Sequence, residues 1–410
     1  MTSRIHFLAA TAALAGLAPL TAQEGGGVPV TVNSGIDALT IDGQLRFRAD
    51  QRDPVSPVTG MESASSQWGR FRLGVGAQID ANNSAYLQLQ ESINNTTARD
   101  GQGMATMSSV HQAYGRMNNL FDMADLQVGR FEMSYGRQRM VSPLDWSNTG
   151  RAWDGVRVLR QGESYTVDLF ATQPVAGQGA PLGTTNNDFA GLYFQYDWDE
   201  FALDLYGFHR RLGGVAQWAD DTYGFLLEGD YGELAWNIEF ATQSGDHGAL
   251  NAAGQAAALG IDYDLGGGIM IGGGFEYASG RDKKDDRFVP LYHFGHAYNG
   301  HQDIVTWSNL QDLVLRSKFP INDDWNLHGD IHLLSRAENK DAVQFGSGAA
   351  GAVTAAGTNS DIGTEVDLYL KGSMAENVDI WTGVSSFTAG DAIKNGDDQL
   401  WVFFQVVFGF

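Results

Sequence analysis

Residues 70–83 read RFRLGVGAQIDANN. Phe71, Leu73, Val75, Ala77 and Ile79 alternate with Arg70, Arg72 and Gln78, and the run stops at Asp80-Ala81-Asn82-Asn83. A period of two belongs to a strand with one greasy and one wet face, because successive side chains of a pleated chain point to opposite sides. Asp and Asn at the stop accept the conformations of a tight turn. The same rhythm appears early in the chain, where Ile41, Gly43, Leu45 and Phe47 oppose Gln44, Arg46 and Arg48, and again at its end, in Leu400 to Phe410.

Leu203 to Arg211, Tyr223 to Tyr231, Leu234 to Thr242 and Ile362 to Gly372 alternate as clearly, and weaker segments fill the gaps from Tyr86 to Phe387, giving eighteen expected strands. Their connections alternate in length. Long ones fall near 51–65, 95–107, 132–154, 173–187, 212–220, 244–254, 279–305, 336–358 and 388–397, with turns such as Asp199-Glu200, Gly232-Glu233 and Gly266-Gly267 between them. Outer-membrane barrels alternate external loops and periplasmic turns in this way, and an even count puts both ends of the barrel on one side. A soluble β-sandwich needs no such alternation. Trp198, Tyr231, Trp236, Trp325 and Trp401 are expected in interfacial girdles. The fold class is therefore all-β, a transmembrane antiparallel barrel of about eighteen strands following a cleaved signal peptide.

The signal is read from residues 1–22, one positive charge followed by an apolar run ending at Ala22, too short to span a bilayer as a helix. A short periplasmic segment, 23–38, and the barrel, 39–410, follow. With no cysteine the chain uses neither disulfides nor thiolate-bound metal. Its net charge of −23 argues against nucleic acid as a partner. The expected partners are outer-membrane lipid, the barrel assembly machinery, for which a terminal Phe410 resembles the recognition signal, and an anionic saccharide or small anion. No cofactor and no metal is expected, and a monomer is favoured.

Charge is uneven along the chain. Residues 1–160 hold fourteen Arg, no Lys and fourteen acids, so the whole net charge arises after them. Arg46, Arg48, Arg70, Arg72, Arg116 and Arg157 fall on the polar faces of neighbouring strands and would line one wall of the lumen. Arg130, Arg137, Arg139 and Arg151 belong to residues 131–154 or their roots, a segment expected to fold inward and narrow the pore. Arginine's fixed fork of donors suits carboxylates, and a constriction would focus its field on anions. The plainer reading pairs these side chains with Asp50, Glu91, Glu132, Asp145 and Asp154 as braces of the wall.

Residues 129–157 read GRFEMSYGRQRMVSPLDWSNTGRAWDGVR. Gly129, Arg130, Tyr135, Gly136, Arg137, Arg139, Trp146, Asn148, Arg151, Trp153, Asp154, Gly155, Val156 and Arg157, with Gln112 to Tyr114, resemble the pattern of the alginate export family of outer-membrane barrels. Phe131 and Trp153 depart from its commoner Gln and Phe. The resemblance implies an eighteen-stranded barrel with an arginine-lined, electropositive pore suited to an acidic polysaccharide.

Other constellations point to less. His328 and His332 share a strand face but lie roughly 13 Å apart at Cα, too far to share an ion easily, and are expected on a hydrated lumen wall. Asp282, Asp285 and Asp286 in the longest loop have the chemistry to bind calcium, but a solvated loop tip is the preferred reading. No GxSxG elbow, HExxH or phosphate-binding Gly loop occurs. The expected function is passive transport of anionic solutes, with a general diffusion porin as the alternative. A lipid-facing barrel enzyme or a surface anchor is the alternative of another class.

Overall fold

The alternation read at residues 41–48 and 70–79 becomes a pair of antiparallel strands, and the same pairing repeats until the sheet meets itself. The computed structural model describes residues 36–57, 63–98, 101–175, 187–213, 218–248, 250–282, 286–347, 359–394 and 396–410. The expected signal peptide, residues 1–22, and most of segment 23–38 lie outside the described residues; Ala38 already belongs to the first strand. The strands are β1 (Ala38–Asp53), β2 (Ala64–Gln78), β3 (Asn83–Ala98), β4 (Gly101–Leu120), β5 (Ala124–Phe131), β6 (Trp153–Gln161), β7 (Tyr165–Pro174), β8 (Asp188–Asp197) and β9 (Phe201–Leu212). They continue as β10 (Trp218–Tyr231), β11 (Leu234–His247), β12 (Leu250–Ala252), β13 (Gln255–Gly266), β14 (Ile269–Ala278), β15 (Leu310–Pro320), β16 (Trp325–Ser335), β17 (Asp361–Ala375), β18 (Val378–Ala389) and β19 (Gln399–Gly409).

Apart from the short β12, which β11 passes to pair with β13, each strand pairs antiparallel with its sequence neighbours, and β1 closes the ring on β19, from Gln44 opposite Gly409 to Asp53 opposite Leu400. Closure leaves no sheet edge around the ring, as a backbone in lipid requires. All eighteen expected segments are wall strands. The three-residue β12 is an addition that extends only the outer end of β11.

Large apolar side chains stand exposed all round the exterior, among them Leu45, Leu89, Val128, Leu169, Leu205 and Val402, at 44–50% of their full accessibility. A water-facing surface does not carry such a continuous band, and a lipid-facing one requires it. Two expectations need correction. The long connection expected at 95–107 is strand: β3 and β4 pair as far as Ala98 opposite Gly101. Its polar run Asn95-Thr96-Thr97 hid the pairing, because beyond the membrane band nothing enforces a greasy face. Trp401 is not a girdle residue; it points inward, 1% exposed, against Phe403.

Candidate functional site

On the inner wall the register sets Arg46 directly opposite Arg70, and Gln44 opposite Arg72. Like charges facing each other destabilise a sheet, so this wall needs counter-charge. The third outer loop, residues 132–152, folds into the barrel and supplies it. The Asp145 carboxylate accepts from Arg70 at 2.7 Å and Arg72 at 3.2 Å. The carbonyl of Asp145 accepts from Arg46 at 2.6 Å, that of Trp146 from Arg48 at 2.7 Å, and that of Ser147 from Arg46 at 2.8 Å. Glu132 adds a carboxylate 3.4 Å from Arg72 and 2.6 Å from His111. Burial raises the Asp145 carboxyl, but the guanidiniums of Arg70, Arg72 and Arg46 overcome it and hold it well below the ordinary carboxylate range.

The same loop carries opposite charge to the far wall. Arg139 reaches Glu276 at 2.9 Å and Glu239 at 3.3 Å, and Arg137 reaches Glu228 at 3.2 Å. Burial alone would lower Arg139, yet Glu276, Tyr298 and Glu239 keep it above the usual guanidinium value. One loop is thus tied at Asp145 to a basic wall and at Arg139 to an acidic one.

The seventh outer loop, residues 279–309, is tied to the third. Val141 bridges to Tyr292, whose amide donates to the Met140 carbonyl at 2.9 Å, and the Phe294 amide donates to Gln138 at 3.1 Å. Arg151 donates to the carbonyls of Ser142 at 3.0 Å and Tyr292 at 2.5 Å, and its burial lowers it to about 10. At the loops' meeting point the Trp146 ring lies between the Arg48 guanidinium, 3.3 Å from its centre, and the His296 ring, 3.9 Å away and near parallel. Burial pushes His296 down to about 4. Farther on, His301 lies 3.2 Å from Asp367, and the Gln302 amide donates to Glu365 at 2.7 Å. The two loops together therefore cross the lumen from β1 and β2 to β17.

The ten arginines expected to line the pore divide into groups. Arg46, Arg48, Arg70 and Arg72 point inward but are only 1–7% exposed, because the third loop lies over them. Arg139 and Arg151 are equally covered, as ties of that loop. Arg116, paired with Asp125 at 2.5 Å, and Arg157, paired with Asp168, point inward with part of their surface open. Arg137 is partly open as well. Arg130 is a correction. It shares a face with the exposed Val128 and stands on the exterior, in a bidentate pair with Asp154 at 2.7 and 2.8 Å. Of the braces expected, Asp145, Glu132 and Asp154 do pair with arginine; Asp50 instead accepts from Trp68 at 2.9 Å, and Glu91 from Ser108.

The remaining motif residues shape the loop's roots. Gly129 has φ +130°, and a Cβ there would lie 2.8 Å from the Tyr114 Cα. Gly136 has φ +51°, and Gly155 passes within 2.7 Å, at its Cβ position, of the Thr172 Cα. Tyr135 stacks on Tyr193 at 4.5 Å and donates to Asp168 at 2.7 Å. Asn148 donates to Gly69 at 2.9 Å and to Asn94 at 2.6 Å, and Trp153 is fully buried against Tyr292. Phe410 exchanges backbone bonds with Gly43, at 2.8 and 3.1 Å, where β1 meets the end of the chain.

His328 and His332 do not stand on a hydrated wall; both are buried. His328 stacks on Tyr369 at 4.8 Å, and His332 holds Asp312 at 3.0 Å. Among the described residues no cluster of His, Asp and Glu could hold a metal ion. The expected calcium cluster loses Asp285, which lies outside the described residues. The sequence reading missed Arg210, bound to Asp220 at 3.1 and 2.5 Å with His247 2.8 Å from the same carboxylate, a buried clasp that also holds the Pro290 carbonyl. Alternation alone would have placed Arg210 inward, beside Tyr206 and Phe208.

A family model described as alginate export matches residues 38–403. No curated protein matches the sequence. Among solved structures the chain resembles three from Pseudomonas aeruginosa. OccK8 (OprE) is 11% identical with a TM-score of 0.63, covering 92% of this chain and 99% of that one. The outer membrane protein OprD is 10% identical with a TM-score of 0.62, covering 94% and 97%. OccK5 (OpdH) is 12% identical with a TM-score of 0.60, covering 90% and 98%. At these identities the likeness is one of fold.

Proposed function

Since the chain belongs to the alginate export family and is an outer-membrane β-barrel of channel type, we propose that it conducts anionic solutes passively, with acidic oligo- or polysaccharides such as alginate as the preferred class. The observation that carries this reading is the guanidinium excess on β1 and β2. Among the described residues, Arg46, Arg48, Arg70 and Arg72 have only the carboxylates of Asp145 and Glu132 within ion-pair distance. Fixed positive charge beside an inward loop, surrounded by low-dielectric wall, raises the local concentration of anions and lowers that of cations. The loop's carbonyls satisfy these donors without cancelling their charge. A family described by alginate export agrees with an acidic sugar polymer as cargo. No covalent step is required, so a channel and not an enzyme accounts for the site.

The acidic far wall, with Glu239 and Glu276 engaged by Arg139, favours the second reading, a general diffusion porin in which the two charged walls offset each other. Swelling of proteoliposomes separates them. The proposal expects monovalent uronates to enter faster than neutral hexoses of equal size; equal rates would leave the general porin.

A further inference from the structure

Among the described residues, most inward cations of this barrel are tied to a carboxylate or a carbonyl, and β15 carries two that are not. Arg316 and Lys318, on the inner face of β15 near its periplasmic end, are half-buried and engage no hydrogen bond or ion pair among the described residues. The register places Arg316 in a row across four strands: Asp262 on β13, Gly272 on β14, Arg316 on β15 and Asp330 on β16. The next row toward the periplasm holds Met270, Lys318, His328 and Tyr369.

Asp262 and Arg316 are two strand spacings apart, about 10 Å between Cα atoms, and only a glycine lies between them. The Asp262 carboxylate leans into that gap, and a Cβ on Gly272 would meet it directly. Gly274, the next inward residue of β14, also lacks a side chain, and its Cβ position is 3.8 Å from the Arg316 Nη1. The result is a cradle with bare backbone as its floor. Among the described residues, one oxygen of Asp262, a residue only 4% exposed, finds no hydrogen-bond partner. A buried acceptor left open beside two open cationic donors is costly unless something fills it.

The groups facing the cradle are chemically mixed. Asp330 is engaged by the Tyr369 hydroxyl at 3.1 Å, and Asp264 by the Gly266 amide at 2.7 Å. Lys371, on β17, stands 3.9 Å over the Trp381 ring. A simple inorganic anion would use the cations and be repelled by Asp262. A sugar acid uses both, because its carboxylate takes the fork of Arg316 and the ammonium of Lys318 while a ring hydroxyl donates to Asp262.

We propose that Asp262, Gly272, Arg316 and Lys318 form a subsite for one uronate unit of an acidic saccharide at the periplasmic mouth of the barrel. This rests on the acidic-saccharide reading above and gives it a site distinct from the arginines under the third loop. A chain entering from the periplasm meets this subsite before the crossing loops.

The test is block of ionic current by an oligouronate in planar bilayers, comparing wild type with the double variant Arg316→Gln/Lys318→Gln, and with Asp262→Asn. Because the two cations form no hydrogen bond or ion pair among the described residues, the double variant keeps the barrel, checked by unchanged heat-resistant migration. The expected result is block weakened about tenfold or more in the double variant. Asp262→Asn weakens block by the oligouronate while leaving chloride selectivity where it was. If wild type is blocked and the double variant equally so, the subsite falls and the function stands. Weakening by the double variant with none by Asp262→Asn reduces the site to unspecific attraction and overturns it. If wild type is not blocked at all, both readings fall together.

Discussion

Replacing Asp145 by Asn tests whether the third loop is held in the lumen by charge. The side chain keeps its shape and one acceptor but loses the negative charge that faces Arg70 at 2.7 Å and Arg72 at 3.2 Å. Removing one partner of a buried ion pair costs about 3–5 kcal/mol, and with Asp145 still 23% exposed to water the lower end applies. About 3 kcal/mol shifts the docked-to-released equilibrium of the loop roughly 150-fold. The carbonyl bonds to Arg46 and Arg48 remain, so the loop becomes mobile without being expelled. Single-channel recording reads two consequences. Open-state noise and brief conductance steps increase, and the reversal potential in a salt gradient moves toward the anion's equilibrium value because the arginine wall has lost a counter-charge. Adding Arg72→Gln to the variant returns the selectivity toward wild type. If Asp145→Asn shows the noise and the reversal potential of wild type, charge does not hold this loop.

Acid should act on the loops in two separate windows. His296 and His293 are pushed down by burial from the usual 6.5 to about 4, so a released seventh loop takes up protons that the docked one refuses. Docking is then weakened progressively as pH falls from about 6.5 to 4, and His296→Gln reduces the effect on gating. Asp145, held below the ordinary carboxylate range, contributes fully above that range and is lost only as pH falls through its own lowered value, beneath the histidine window. Arg139→Met leaves Glu239 and Glu276 buried without a counterion, a loss of about 3–5 kcal/mol, and makes the channel more cation-selective; Glu276→Gln in the same chain offsets part of it, read as temperature of barrel unfolding and as reversal potential. Gly129→Ala forces a side chain into φ +130° against Tyr114, costing about 1–3 kcal/mol, and lowers the unfolding temperature of refolded barrels relative to wild type.

The wall was legible because lipid and water impose opposite demands on alternate residues, and Asp80–Asn83 or Gly232-Glu233 mark where each strand must stop. The hairpin beyond Asn95 escaped notice because that demand ends at the membrane border. Charge on Arg46, Arg48, Arg70 and Arg72 was readable as inward, since it follows from parity alone. The inward third loop and its carboxylates Asp145 and Glu132 were readable too; the rest of the cover was not, because its acceptors are backbone carbonyls about a hundred residues away, at Asp145 to Ser147, and carbonyls leave no trace in side-chain identity. Arg130 was misplaced for a local reason, as it sits one residue past Gly129 at the root of the loop and takes the exterior parity of Val128. The seventh loop's alliance with the third, through Tyr292 and Trp146, depends on contacts between segments whose sequences carry no shared period. Arg316 and Lys318 stood on a recognised strand, but only their lack of a hydrogen bond or ion pair among the described residues gives them meaning, and that is a property of the folded wall.

On the proposed reading, guanidinium and not the more numerous acids of the far wall sets the net field at the crossing loops. The measurement that tests it most directly is the reversal potential of the refolded wild-type barrel in a planar bilayer under a potassium chloride gradient at neutral pH. An arginine-governed pore is anion-selective, with the zero-current voltage displaced toward the chloride equilibrium potential; displacement toward the potassium potential would assign the pore to the acidic wall instead.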